Sequence, residues 1–273
     1  MFTNKTFLIT GIADENSLAM FVAKKIIQNG GKVVCTGLGV SEFHNNLSEK
    51  ATQFLNKNFE DFKQSVQNEL GSVSTEILDV TLDANIESFA QKLKEKNIKL
   101  DGFLHAIAMD KTIRKKEVKP LLEVTKDEFC DTMEVSAFSL IRIAHYLYKY
   151  DIIQPGSSIC SLSYIAAAKV TFHPYRNMSI AKAALERITI ELADELGRKN
   201  GTRVNAIRFS PYMGSKAGTA TLNHEDFDTS NKLSPLGNAT PDDLANEVIH
   251  LFRLNGRITG EIRHVDGGYN IMG

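Results

Sequence analysis

Residues 7–36 read FLITGIADENSLAMFVAKKIIQNGGKVVCT, and this stretch decides the fold. Phe7-Leu8-Ile9-Thr10 is a short apolar run closed by Gly11, the pattern of a strand buried on both faces. Asp14-Glu15-Asn16-Ser17 offers helix-capping side chains ahead of Leu18 to Ile27, where apolar residues recur at helical spacing until Gly30-Gly31. Lys32-Val33-Val34-Cys35-Thr36 is a second strand pattern. Strand, helix and strand in this order form one βαβ unit. Its crossover sets the N-terminus of the helix against the loop after the first strand. A helix N-terminus facing a glycine turn attracts anions, and a dinucleotide pyrophosphate is a common occupant. Gly11 stands alone where a full fingerprint has three glycines, so the turn by itself is also compatible with a steric glycine.

Beyond this unit the alternation continues. Residues 41–75 are polar, with helical character through Phe54, Phe59 and Phe62, and read as helix and surface connection. Residues 74–80 form a third strand pattern, Ile86 to Lys96 an amphipathic helix, and Leu100 to Ala108 a fourth strand. Residues 111–119 carry five cations (Lys111, Arg114, Lys115, Lys116 and Lys119), which suit either a solvated loop or a landing patch for an acidic or phosphorylated ligand. Thr125 to Tyr148 reads as one long helix. A fifth strand runs over 157–163, a helix continues to Gly197, and a sixth strand covers 203–209. Residues 210–238, punctuated by Pro211, Gly214, Gly218, Pro235 and Gly237, are long for a structureless loop and suggest a lid or substrate loop. Thr240-Pro241-Asp242-Asp243 caps a last helix, Leu244 to Leu254, before a seventh strand at 260–265. With no linker and no internal repeat, residues 1–273 are expected to form a single α/β domain. It is a Rossmann-type, doubly wound parallel sheet of about seven strands flanked by helices.

Bulk properties narrow the function. Charged residues make up 24% of the chain and the net charge is −1, so no strongly acidic or basic partner is implied. No apolar run approaches the roughly 20 residues needed to span a bilayer, and the start MFTNKTFLITG lacks signal-peptide features. Cys35, Cys130 and Cys160 are scattered and odd in number, as core or near-core thiols of a reducing compartment would be, and the cytoplasm is the expected location. His105, His173 and His264 lack metal-ligand spacing and read as structural, so no metal is expected. No GxSxG turn supports a hydrolase, and no basic–aromatic interleaving supports nucleic-acid binding.

Tyr175 and Lys182 lie seven residues apart among Ile180, Ala181, Ala183, Ala184 and Leu185. Nearly two helical turns would bring both side chains to the same side. An ammonium near a phenol lowers the phenol's pKa and readies it to give a proton. Together with LITGIADENSLA, RVNAIRFSP after the catalytic helix, ITGEIRHVDGGY at the end, and Tyr164 eleven residues before Tyr175, this set resembles the short-chain dehydrogenase/reductase superfamily. Within it the chain is most similar to the enoyl-acyl-carrier-protein reductases, which use Tyr-x6-Lys where most of the superfamily uses Tyr-x3-Lys.

The resemblance implies a role for each matching residue. Gly11, Ile12, Ser17 and Leu18 would wrap the pyrophosphate, and Asp79 and Val80 would hold the adenine. Leu38, at the end of the second strand, joins the cofactor contacts. Ala106, Ile107 and Ala108 would run beside the ribose and nicotinamide. Lys182 would bond the nicotinamide ribose, and the backbone of Tyr212 the carboxamide. Tyr175 would face the thioester carbonyl, with Tyr164 lining the same pocket. The second strand ends in Thr36-Gly37-Leu38 with no cation between 33 and 49 to take a 2′-phosphate, which favours NADH over NADPH. The implied substrate is a 2-enoyl thioester of fatty-acid synthesis, on acyl carrier protein or CoA, and the implied assembly is a homotetramer.

Three features depart from the family. Ala108 replaces a glycine. Ser210-Pro211-Tyr212-Met213-Gly214 replaces Gly-Pro-Ile-x-Thr, with Ser215 available as a substitute hydroxyl. The loop TATLNHEDFDTSN is acidic and should repel an acidic carrier. Two further readings therefore stay open: a reductase of another carbonyl or activated alkene, and a nucleotide-binding protein without turnover.

Overall fold

The computed structural model describes residues 1–253 and 256–272. Strand β1 (Thr6–Ile9), helix α1 (Leu18–Gln28) and strand β2 (Lys32–Gly37) build the opening βαβ unit as expected. Then come α2 (Glu49–Leu70), β3 (Ser74–Ile77), α3 (Asp83–Glu95) and β4 (Leu100–His105). A short hairpin, β5 (Ile113–Arg114) and β6 (Glu117–Val118), leads into α4 (Lys126–Met133) and α5 (Ser139–Lys149). The second half runs β7 (Ile153–Ser163), α6 (Arg176–Asn200), β8 (Arg203–Phe209), α7 (Lys216–Thr221), α8 (His224–Leu233), α9 (Pro241–Phe252) and β9 (Ile262–Val265).

Seven parallel strands lie in the order β3-β2-β1-β4-β7-β8-β9. Alternation along β1 sends Leu8 to one face of the sheet and Phe7 and Ile9 to the other. The Leu8 face packs α3, α5 and α6 through Phe89, Leu140 and Leu185. The opposite face packs α1, α2 and α9 through Met20, Phe62 and Val248. The chain reverses winding direction between β1 and β4, and in such sheets ligands bind outside the carboxyl ends of the strands at that switch point.

The structure revises several boundaries, each for a local reason. β3 stops at Ile77 and β4 at His105, earlier than the sequence pattern suggests. The residues that follow are held by side chains instead of strands: Asn85 Oδ1 accepts from Asp79 N at 2.6 Å, and Thr10 Oγ1 from Ala106 N at 3.3 Å. The helix expected over 125–148 is broken by a widened turn at Glu134–Phe138. There the Ser136 hydroxyl accepts from Met109 N and donates to Met109 O, bracing the loop after β4. Residues 41–75 hold a 22-residue helix, and 210–238 hold α7 and α8 where an irregular loop is expected. The last helix ends at Phe252, and Leu254 lies outside the described residues. Cys35 and Cys160 are buried, but Cys130 is exposed on α4.

The cationic segment 111–119 forms the β5–β6 hairpin, with Lys115 and Lys116 at φ 51° and 67°. Left-handed backbone at a non-glycine residue costs on the order of 1–2 kcal/mol, and hairpin turns of this kind ordinarily use Asn-Gly.

Candidate active site

The loops at the carboxyl ends of β1, β2, β3, β4, β7 and β8 meet at one cavity of about 560 Å³. Its floor is the β1–α1 turn. Gly11 sits at φ 85°, and a Cβ there would stand 2.2 Å from the Ala106 carbonyl oxygen, so only glycine lets the two loops touch. Ser17 precedes α1 with its hydroxyl accepting from Ala13 N (2.9 Å) and Asp14 N (3.0 Å) and donating to Asp14 Oδ1 (3.1 Å). These bonds hold the turn open beneath the positive end of α1, with Ile12 and Leu18 lining the same wall.

On one side of this turn lie Leu38, at the end of β2, and Asp79 and Val80, past the end of β3. The Asp79 carboxylate accepts from Thr81 N and Oγ1 at 2.9 and 2.7 Å, and His44 Nε2 lies 3.1 Å from its other oxygen. His44 comes from a stretch whose sequence carries no motif. Thr36, Gly37 and Asn58 complete this end, and the lysines of the cavity wall, Lys182 and Lys216, belong to other parts of it.

Ala106, Ile107 and Ala108 run along the wall on the other side toward Tyr164, Tyr175 and Lys182. Lys182 Nζ donates to the Leu162 carbonyl at 2.8 Å. Burial lowers its pKa to about 8, while the Glu186 carboxylate one turn further along α6 pulls the other way. Glu186 is itself held by Ser163 Oγ at 2.6 Å and by Arg208, whose Nε and terminal nitrogen donate at 2.8 and 2.6 Å.

Tyr175 differs from expectation. It is the residue before α6, outside the helix, with the strained Arg176 (φ 38°) next to it. Its phenol is pushed up to about 12, by burial and then by the nearby Asp110 carboxylate. It therefore stays protonated at neutral pH and able to donate a hydrogen bond, contrary to the lowered pKa that the spacing suggests. Asp110 Oδ1 is anchored by Thr112 N and Oγ1 at 2.8 and 2.6 Å.

The Tyr164 ring lies edge-on to Tyr175 with centroids 5.4 Å apart, and the His173 ring lies 5.5 Å from Tyr164 and 6.0 Å from Tyr175. Burial raises the Tyr164 pKa and lowers that of His173, so both are neutral. The Tyr164 hydroxyl and His173 Nδ1 are buried without a protein hydrogen-bond partner among the described residues. Of the three histidines expected to be structural, His105 (2.8 Å from Ser139 Oγ) and His264 (3.2 Å from Asp266) fit that reading, whereas His173 lines the cavity. Its place two residues before Tyr175 is the one signal that could have revealed it. Among the described residues no group of His, Cys, Asp and Glu side chains could hold a metal ion.

Tyr212 and α7 cover the cavity. A Cβ on Gly218 would meet the Tyr212 carbonyl oxygen at 1.8 Å, so α7 lies directly on the strand-end loop. Lys216, on α7, donates to Ala13 O at 3.1 Å across the mouth of the β1–α1 turn. The sequence-nominated residues thus share one cavity, elongated from a carboxylate-lined end past an anion-receptive turn to a tyrosine–lysine end. The glycine cradle at Gly11 and the unpartnered groups on Tyr164 and His173 fit a dinucleotide lying beside a small polar acceptor.

This fold and site define a dinucleotide-binding α/β protein with a Tyr-x6-Lys pair. The family model described as enoyl-(acyl carrier protein) reductase matches residues 11–270. The chain belongs to that family. It is 33% identical over 276 residues to the enoyl-[acyl-carrier-protein] reductase [NADH] FabI of Aquifex aeolicus, covering 100% of this chain and 94% of that protein. The solved Aquifex aeolicus enoyl-[acyl-carrier-protein] reductase (NADH) superposes with a TM-score of 0.83 at 30% identity, covering 100% and 98% of the two chains. The FabI–NADH complex of Alistipes finegoldii gives 0.82 at 27% identity over 100% of this chain and 90% of that one.

Proposed function

We propose that this chain is an NADH-dependent reductase of the carbon–carbon double bond of 2-enoyl thioesters, acting in fatty-acid synthesis. The observation that carries the reading is the meeting of Tyr175, Lys182 and Tyr164 at one end of a dinucleotide-shaped cavity, in a member of the enoyl reductase family. Gly11, Ile12, Ser17 and Leu18 seat the pyrophosphate. Leu38, Asp79 and Val80 take the adenosine. Ala106, Ile107, Ala108 and the Tyr212 backbone flank the ribose and nicotinamide. Bound NADH would supply hydride to Cβ of the thioester, and solvent water would supply the proton that Cα takes as the resulting enolate collapses to the saturated thioester. As charge gathers on the thioester oxygen, the Tyr175 hydroxyl donates a hydrogen bond to it, and the Lys182 ammonium binds the ribose and adds its field. Tyr164 and His173 offer further polar contacts to the thioester end. Among the described residues no Lys or Arg lines the cavity around Leu38 and Asn58, which supports NADH over NADPH.

The reading takes 1–273 as one domain with 210–238 as its substrate loop, and α7 lying on Tyr212 supports that role. It includes a homotetramer, for which exposed Ile180 and Ile190 on α6 and Phe138 beside α5 provide apolar surface. It also includes a cytoplasmic location. Among the described residues no helix is long and apolar enough to cross a membrane. Acyl carrier protein is the carrier that family membership favours.

Titration with NADH followed by single-turnover mixing with trans-2-butenoyl thioester tests the reading. Conversion to the saturated thioester is the expected result. The bulky Tyr212 in the substrate loop favours one second reading, a different activated alkene or carbonyl as acceptor. NADH binding with no reduction of the thioester would favour that alternative.

A further inference from the structure

Taking the proposed thioester reduction as its basis, we infer that the tip of the β5–β6 hairpin, Arg114-Lys115-Lys116, together with Leu121 and Leu122, is the landing surface for an acidic carrier protein bearing the substrate.

The hairpin's charge is unevenly spent. Lys111 pairs with Asp131 at 2.5 Å and Lys119 with Glu128 at 2.8 Å, so two of the five cations are structural. Arg114, Lys115 and Lys116 are exposed, with no carboxylate partner among the described residues. Lys115 and Lys116 occupy left-handed backbone positions that Asn-Gly fills at lower cost. The turn thus carries two lysines where backbone energetics disfavour them. Just past the base of the same hairpin, Leu121 is 44% and Leu122 101% exposed. A cationic tip and exposed apolar side chains on one short segment match a partner with an acidic, partly apolar face.

The position suits delivery of a tethered acyl group. Lys116 N donates to Ala220 O at 2.9 Å, tying the hairpin tip to α7. α7 and the residues around it give Lys216, Thr221 and Leu222 to the cavity wall. At the hairpin's base, Asp110 and Thr112 connect to Thr132 and Asn177, two residues past Tyr175. The neighbouring α8 opens with Glu225 and Asp226 and adds Asp228, an acidic face that would repel the same carrier. Charge therefore assigns the partner to the hairpin side of the α7 lid.

The test uses an acyl carrier protein loaded with a trans-2-butenoyl group, its binding read by fluorescence anisotropy and its turnover compared with the uncharged N-acetylcysteamine thioester. The triple change Arg114→Glu, Lys115→Glu and Lys116→Glu is expected to raise the carrier's Kd and KM at least 10-fold. The small thioester's kinetics should stay within twofold. The milder Lys115→Gln/Lys116→Gln pair should raise the carrier's Kd in the same direction, and Glu225→Lys/Asp226→Lys should not weaken binding. An unchanged carrier Kd in the triple variant, or no carrier binding by the unmodified chain, overturns the proposal. If neither thioester is reduced, the reductase reading fails, and the anisotropy arm still decides the surface on its own.

Discussion

Glu186 grips Arg208 with both carboxylate oxygens, at 2.8 and 2.6 Å, one helical turn beyond Lys182. This carboxylate is the principal group opposing the loss of charge that burial imposes on Lys182. Lys182 is an ammonium below about pH 8 and neutral above it, so kcat/KM should fall as pH rises through about 8. Glu186→Gln removes the opposing field and should move that descent to lower pH. It also strands a mostly buried guanidinium, at a cost of about 3 kcal/mol. A pH–rate profile and a thermal melt of the same variant check both arms.

Tyr175→Phe deletes the hydroxyl that the proposed mechanism sets against the thioester oxygen. Losing a single donor of this kind costs about 10²- to 10³-fold in kcat. The affinity for NADH, measured by fluorescence titration, should change less than about twofold, because Tyr175 adds no contact to the β1–α1 turn. Since its phenol is held at about 12, the wild-type rate should show no Tyr175 ionisation between pH 6 and 10.

Gly11→Ala places a methyl 2.2 Å from the Ala106 carbonyl at a φ of 85°. Strain and overlap together should destabilise the chain by at least about 2 kcal/mol. The shift between the two loops should also weaken NADH binding more than 10-fold. A melt and a binding titration on the same preparation separate the two effects.

His173→Phe keeps a ring against Tyr164 and Tyr175 but removes both nitrogens. A role at the thioester end predicts a KM for the enoyl thioester raised about 10-fold, with NADH affinity unchanged. An unchanged KM would return His173 to a packing role.

Local patterns carried much of this structure. The strand Arg203–Phe209 matches its expected range residue for residue, and the opening βαβ unit follows from its apolar runs and glycines. The expected side-chain cap on α1 does not form, because the Ser17 hydroxyl turns back to bond Ala13 and Asp14. What local reading missed depends on specific side-chain contacts, some of them between residues far apart in sequence. The break at Glu134–Phe138 exists because Ser136 reaches Met109, 27 residues away. The early ends of β3 and β4 reflect side-chain partners from Asn85 and Thr10. Helix α7 stands where two glycines suggested a loop, because Ser215 caps it through Gly218 N at 3.1 Å and Gly218 lies against Tyr212. The site residues were legible through the resemblance. His173, Lys216 and His44 fell outside its motifs, and three-dimensional proximity alone brings them to the cavity or its edge.

The most direct measurement is the absorbance at 340 nm of the purified chain mixed with a trans-2-enoyl thioester and either NADH or NADPH. Rapid loss of absorbance with NADH, slower with NADPH, and dependent on the Tyr175 hydroxyl, is the expected result. NADH that binds but is not consumed by any enoyl thioester would contradict the proposed reaction and turn attention to the acceptor admitted by Tyr212 and the 210–238 loop.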